Sequence, residues 1–304
     1  MPESPEVQAL VEQLDERLAG CLIHSADLIE FRALKTRARP LSTLVGRAVT
    51  GARRFGKFVD LALEEAHLVV SLGRHGWVRW ADTERGDDAG RGDDAERGDD
   101  AGRGDDAERG DDAAEVAADP PALASLTVDG SVVEFTDAGS WVSLGLWVVG
   151  YPGEVPGIAK LGPDPLDAAF SRVDVDRAVA HRRKQLKAIL QEQESFAGIG
   201  NAYSDEILHR ARLSPVAHGD TLTDDELERL FTAMRDELGE AVRARRGIPI
   251  DGLKQAKTDA MRVHGRGGEP CPVCGGIVED FTFGGTTAQY CPVCQGAPSP
   301  KGAE

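Results

Sequence analysis

The spacing of apolar positions changes period along the chain. "SPEVQALVEQLDERL" sets Val7, Leu10, Val11, Leu14 and Leu18 at helical intervals, with Ser4 suited to the cap and Pro5 to the first helical position. The pattern then shifts to period two. "GRAVTGARRFGKFVDLAL" and "HLVVSLGRHGWVRWAD" alternate apolar and polar residues, "LTVDGSVVEFTD" places Asp129-Gly130 between two such runs as a hairpin turn, and "WVSLGLWVV" follows. These segments predict an antiparallel sheet or sandwich over residues 2–150, with the first helix packed on it. The Pro/Gly-rich stretch "YPGEVPGIAKLGPDPL" predicts a linker over 151–168. Helical spacing returns in 169–250. One helix is predicted over about residues 174–194. A second covers "AYSDEILHRARL" after the turn "GIGN", and a third "TDDELERLFTAMRDELGEAVRARR", opened by a Thr223…Glu226 capping box.

One block obeys neither period. From Arg85 the chain repeats "RGDDA" with a six-residue period in five copies. Almost nothing in it can be buried, so residues 83–118 are expected to be a disordered acidic insert between strands, where long loops cost little. Residues 85–115 carry five Arg against ten Asp and three Glu, a net of −8 out of the chain's −17, so acidity belongs to the whole chain. It does not exclude nucleic acid, because "HRRKQLK" and "RARR" supply local basic clusters that can coexist with an acidic exterior. At 304 residues there is room for two domains with separate cores. No apolar run is long enough to cross a membrane and no basic–apolar–small leader opens the sequence, so the expected location is cytoplasmic.

Cys21 stands alone, while Cys271, Cys274, Cys291 and Cys294 form C-x2-C-x16-C-x2-C. Two such knuckles can bring four thiolates to the corners of a tetrahedron, which predicts one structural Zn2+ per chain within residues 262–296. Disulfides are the weaker reading in an intracellular chain. A closed four-thiolate site has no open position for water, so this metal folds the module and does not catalyse. The spacing leaves open whether the module contacts protein or nucleic acid. Read locally, "MPESPEV" is a helix entrance, Lys57 an exposed strand lysine, and the two helices around "GIGN" fit DNA binding or plain packing.

Taken together, "PESPEV", the lysine of "RRFGKF", "LGPDPL", "QLKAILQEQESFAGIGNAYSDEIL", "VHGRGGEPCPVCG" and "YCPVCQ" resemble a divergent branch of the formamidopyrimidine-DNA glycosylase/endonuclease VIII family, in the correct order from residue 2 to about residue 295. The resemblance implies an α+β multidomain fold: an N-terminal antiparallel β-sandwich with a packed helix, a helix–two-turn–helix DNA-binding domain and a zinc-ribbon finger. It implies a base-excision-repair DNA glycosylase with abasic-site lyase activity, acting as a monomer on double-stranded damaged DNA without a small-molecule cofactor. The alternative is a protein that binds damaged DNA or abasic sites with little or no glycosylase activity.

Carried onto this sequence, the family's nucleophile is the Pro2 amine once Met1 is removed. An unperturbed α-amine titrates near ~7.7–8, so a useful fraction is neutral at physiological pH. Glu3 matches the family carboxylate that handles protons, Lys57 the hairpin lysine at the phosphate, and Glu6 a further acid near the site. Asn201 and Lys187 match phosphate contacts, and Tyr203 and Glu206 fit the same motif. The departures are specific. Ser71 and Arg74 stand where family members carry His and Met, "DAGSWV" replaces an Arg/Phe-bearing loop, and Thr286 replaces a finger arginine that grips phosphate. Arg74 and Trp141 are left as the side chains available to fill the gap of a flipped nucleotide.

Overall fold

The computed structural model describes residues 1–81 and 119–296, and the expected acidic repeat lies outside them. Helix α1 (Ser4–Leu18) leads into two four-stranded antiparallel sheets. Strands β1 (Ile23–Leu28), β2 (Val49–Phe55), β3 (Phe58–Leu63), β4 (Ala66–Ser71), β5 (Gly76–Ala81), β6 (Ala122–Val128), β7 (Ser131–Asp137) and β8 (Gly145–Val149) are ordered β1-β6-β7-β5 in one sheet and β2-β3-β4-β8 in the other. Alternate residues of both sheets (Val59, Leu61, Leu68 and Val70 from one, Leu126, Val133 and Phe135 from the other) share one buried core with Val7, Leu10 and Leu14 of α1. The Asp129-Gly130 hairpin forms as its sequence predicts, with Gly130 at φ +68°.

The connector holds a short helix, α2 (Pro156–Ala159). The predicted helix over 174–194 is instead two, α3 (Arg172–Val179) and α4 (Leu186–Gln191). The break is tertiary in origin. His181 turns to φ +66°, and the N–H groups of Leu186 and Lys187 leave the helix to bond Ala217 O and Pro215 O. Helices α5 (Asn201–Ala211) and α6 (Asp224–Arg245) complete the second core around Ile189, Phe196, Ile207, Leu230 and Met234. The chain then returns to the sandwich. Ile250 and Leu253 sit in its core, and Trp77 Nε1 donates to Ile250 O at 3.1 Å. This anchors α7 (Leu253–Ala260), a helix that apolar spacing did not predict. The finger comprises the hairpin β9 (Glu279–Phe283) and β10 (Thr286–Tyr290) and the turn α8 (Pro292–Gln295).

Candidate active site and nucleic-acid interface

The N-terminus of α1 lies where sandwich, helical domain and finger meet, in a cleft of about 850 Å³. Met1, Pro2 and Glu3 line it together with Lys57, Arg74, Asn201, Lys257, His264 and Thr286. Pro2 is buried behind the exposed Met1, to which its nitrogen is still bonded as an amide.

Two glycines make the close approach possible. Gly198, at φ +87°, carries the carbonyl that accepts Ser4 N–H at 3.1 Å, and a Cβ there would meet Ser4 Oγ at 1.7 Å. A Cβ on Gly200 would stand 2.6 Å from the Glu3 carboxyl carbon and 2.8 Å from Lys57 Nζ. Glu3 thereby caps the N-terminus of α5, accepting the N–H groups of Gly200, Ala202 (3.1 Å) and Tyr203 (3.4 Å). Lys257 Nζ donates to its Oε1 at 3.0 Å. Burial opposes the charged form of Glu3, but Lys257, Lys57 and the Gly200 N–H outweigh it and hold the carboxyl at about 2. Glu3 is therefore an anion throughout the neutral range.

Lys57 occupies the tip of the two-residue β2–β3 hairpin beside Gly56, whose φ is +55°. Arg54 fixes that tip, donating to Gly56 O at 2.8 Å and pairing with Asp164 of the connector at 2.7 Å. Burial lowers the Lys57 ammonium, Glu3 raises it, and Lys257 lowers it. Glu6 is buried between three groups. Tyr203 Oη donates to its Oε1 at 2.7 Å, Arg245 Nε stands 3.3 Å from the same oxygen, and Lys257 Nζ lies 3.6 Å from Oε2.

The four predicted cysteines converge. Their Sγ atoms lie within 4.8 Å of one another, with 3.4 Å between Cys274 and Cys291 and 3.9 Å between Cys271 and Cys294. A tetrahedral Zn2+ with bonds of about 2.3 Å needs sulfurs about 3.8 Å apart, so the donor set fits one zinc. The finger docks on α5 through Gln295 Nε2 to Leu213 O (2.9 Å), and His209 Nε2 lies 3.3 Å from Cys271 Sγ.

Known proteins match this architecture from end to end. Residues 1–138 match the formamidopyrimidine-DNA glycosylase N-terminal domain, 161–250 the formamidopyrimidine-DNA glycosylase H2TH domain, and 268–296 the zinc finger found in FPG and IleRS. A formamidopyrimidine-DNA glycosylase from Heliobacterium modesticaldum is 32% identical, over 97% of this chain and 100% of its own. This chain belongs to the formamidopyrimidine-DNA glycosylase family. The crystal structure of MutM (Fpg) from Thermus thermophilus superimposes with a TM-score of 0.75 at 29% identity, covering 98% of this chain and 100% of that one. A Lactococcus lactis Fpg, solved in complex with DNA containing an abasic site, shares the fold with a TM-score of 0.78 at 21% identity, over 96% and 99% of the two chains.

Within this family fold, the expected site residues fall into three groups. Pro2, Glu3, Lys57 and Asn201 converge on the cleft, and Arg74, from the β4–β5 turn, lines it beside His75. Asn201 is held by its amide, which donates to Thr287 O at 2.9 Å and accepts from Gln191 Nε2 at 3.1 Å. Trp141 stands outside the cleft lining, 81% exposed, on a loop organised by Asp137. That carboxylate accepts the N–H groups of Gly139, Ser143 and Leu144 at 2.7–2.9 Å.

Lys187 does not fit the phosphate contact expected of it. It is 0% exposed and its Nζ is consumed by Asp205 Oδ1 (2.6 Å), Ser204 Oγ (2.8 Å) and Asn201 O (3.1 Å). Its role in this geometry is to fasten α4 to the start of α5. Glu206 is equally internal, accepting the N–H groups of Arg262, Val263 and His264. Sequence reasoning missed Lys257 and His264. The former sits in a helix with too few apolar residues to show a period, and the latter is clamped by buried Asp205 through Nδ1 at 2.8 Å.

Proposed function

We propose that this chain is a base-excision-repair DNA glycosylase with abasic-site lyase activity, and that its nucleophile is the Pro2 amine released by removal of Met1. The observation that carries the reading is the place of Pro2: buried at the head of the cleft, beside a carboxylate held ionised by α5 and two lysines. The secondary amine attacks C1′, the glycosidic bond breaks, and the base leaves with the electron pair and takes a proton. A proton reaches O4′ as the sugar opens, leaving an iminium between Pro2 and C1′. Loss of a C2′ proton then expels the 3′ phosphate, and a second elimination expels the 5′ phosphate. Water hydrolyses the iminium and restores the amine. Because Glu3 is ionised at rest, it enters this sequence as proton acceptor and counter-charge to the iminium.

Double-stranded damaged DNA is the partner this cleft suits. Lys57 and Asn201 offer donors to its phosphates, and the solved relative from Lactococcus lactis was captured on abasic-site DNA. The zinc holds the finger that forms one wall. Among the described residues no helix is long and apolar enough to cross a membrane. Action as a monomer in the cytoplasm, on the nucleoid, completes the proposal.

The test is reductive trapping on a duplex carrying a single abasic site. The mature chain forms a covalent protein–DNA adduct under borohydride. A chain kept with an N-terminal extension, in which Pro2 N remains an amide, forms none while still binding the duplex. Equal binding without trapping by the mature chain would leave the damaged-DNA-binding alternative in its place.

A further inference from the structure

Lys257 lies near the end of α7, its side chain 13% exposed, with its ammonium inserted at the head of α1. It donates to Glu3 Oε1 at 3.0 Å and to Met1 O at 3.1 Å, and faces the Tyr203 ring 5.1 Å from its centroid. Leu253, one turn earlier, is wholly buried in the sandwich core, and Arg245 Nη2 donates to Ala256 O at 3.4 Å. The helix is thus fixed at its start and at its middle, next to the lysine.

The contact with Met1 O sets a distance to the reacting atom. That oxygen is joined to Pro2 N by one C=O bond of about 1.23 Å and one C–N bond of about 1.33 Å. Nζ therefore lies within about 6 Å of the nitrogen that becomes the free amine. Removing Met1 also takes away one of its acceptors.

We propose that Lys257 is a positioning residue for the nucleophile: its ammonium, anchored by Glu3 and Glu6, holds the mature Pro2 amine in its unprotonated form. This rests on the glycosylase–lyase reading above and deepens it. Two like charges about 6 Å apart at an effective dielectric near 20 displace a pKa by about two units. The neighbours do not cancel this. Glu3 and Glu6 on α1 oppose it, but Glu3 is already shared by Lys57, Lys257 and three N–H groups, and Glu6 by Arg245 of α6, Tyr203 of α5 and Lys257. Lys254 of α7, Arg74 and His75 of the β4–β5 turn, and His264 beyond α7 face the same cleft and add no anion. The amine of the uncleaved chain feels the same environment, being lowered first by burial and next by Lys257.

The test is the pH dependence of single-turnover adduct formation with cyanoborohydride on an abasic duplex, for the mature wild type, Lys257→Met and Lys257→Arg. Lys257→Met moves the acidic limb of the profile up by about two units, so trapping falls about tenfold at pH 7 and recovers near pH 9. Lys257→Arg restores the wild-type limb. A profile that superimposes on wild type, or one lowered by the same factor at every pH, overturns the proposal. Should Lys257→Met not fold, the amines of wild type and Lys257→Gln are titrated directly by competitive acylation. A wild-type value at least about one unit below that of Lys257→Gln supports the proposal, and equal values overturn it. Absence of any adduct from the wild type would instead overturn the lyase reading itself.

Discussion

Glu3 and Gly200 are 197 positions apart and joined by a hydrogen bond from the Gly200 N–H to the Glu3 carboxylate. The bond ties the N-terminal end of α1 to the start of α5, and makes the charge on Glu3 part of the fold. A carboxyl held at about 2 against an ordinary 4.5 contributes stability above pH 4.5, and that contribution is lost as pH falls through 4.5 towards 2. For a fully buried group a shift of this size corresponds to roughly 3 kcal/mol. Thermal melts of the wild type should therefore drop steeply between pH 5 and 2.5. Glu3→Gln should melt lower than wild type at pH 7 and converge on it at the acidic end. Parallel melting curves across that range would show that Glu3 is not the anion that links the two domains.

The parts of this fold written in local pattern were legible in the sequence. α1, the period-two strands, the Thr223 capping box and the four cysteines each have a short-range signature, and each forms as expected. What escaped was written in contacts between distant segments. Nothing in "AHRRKQ" breaks a helix; the chain breaks there because residues 215–219 take over its hydrogen bonds. Lys187 has the composition of a phosphate ligand, and only the position of Asp205 turns it inward. Lys257 enters the site because Ile250 and Leu253 return to the sandwich core, a tertiary choice that no spacing records.

The zinc module should fail as a unit. Structural zinc in finger peptides supplies about 10–16 kcal/mol of apparent binding free energy, which four small buried residues cannot replace. Cys271→Ala, or a strong chelator, is expected to unfold residues 262–296 and abolish tight DNA binding, while the sandwich keeps its melting transition. Metal analysis should return one zinc per chain. A metal-free protein that still binds and nicks DNA would refute this.

The buried Lys187–Asp205 pair gives a sharp distinction between structure and contact. Removing one partner of such a pair leaves an uncompensated charge and costs about 3–5 kcal/mol. Lys187→Met should therefore lower the melting temperature markedly. It should leave the salt dependence of DNA binding, measured on the folded fraction, unchanged. Loss of a phosphate contact would instead reduce the slope of log K against log salt by about one, with little effect on melting. That second pattern would return Lys187 to the interface.

Lesion preference should follow from the wedge. A target nucleotide has to leave the stack, and side chains inserted into the gap recover part of the cost. Here the candidates are Trp141, 81% exposed on the loop held by Asp137, and Arg74 on the cleft wall. One aromatic stacked on a base contributes about 1–3 kcal/mol, enough to hold the gap open but not to read the opposite base by hydrogen bonds. Cleavage of preformed abasic sites, where no pair has to be broken, should be strong. Excision of oxidised guanine opposite cytosine should be weaker, with little discrimination by the opposite base. Trp141→Ala should reduce excision of intact lesions about 5- to 100-fold and abasic cleavage much less. Its melting temperature should barely move, because so exposed a side chain supports no packing. Robust, cytosine-selective removal of oxidised guanine that survives Trp141→Ala would assign the wedge to other residues.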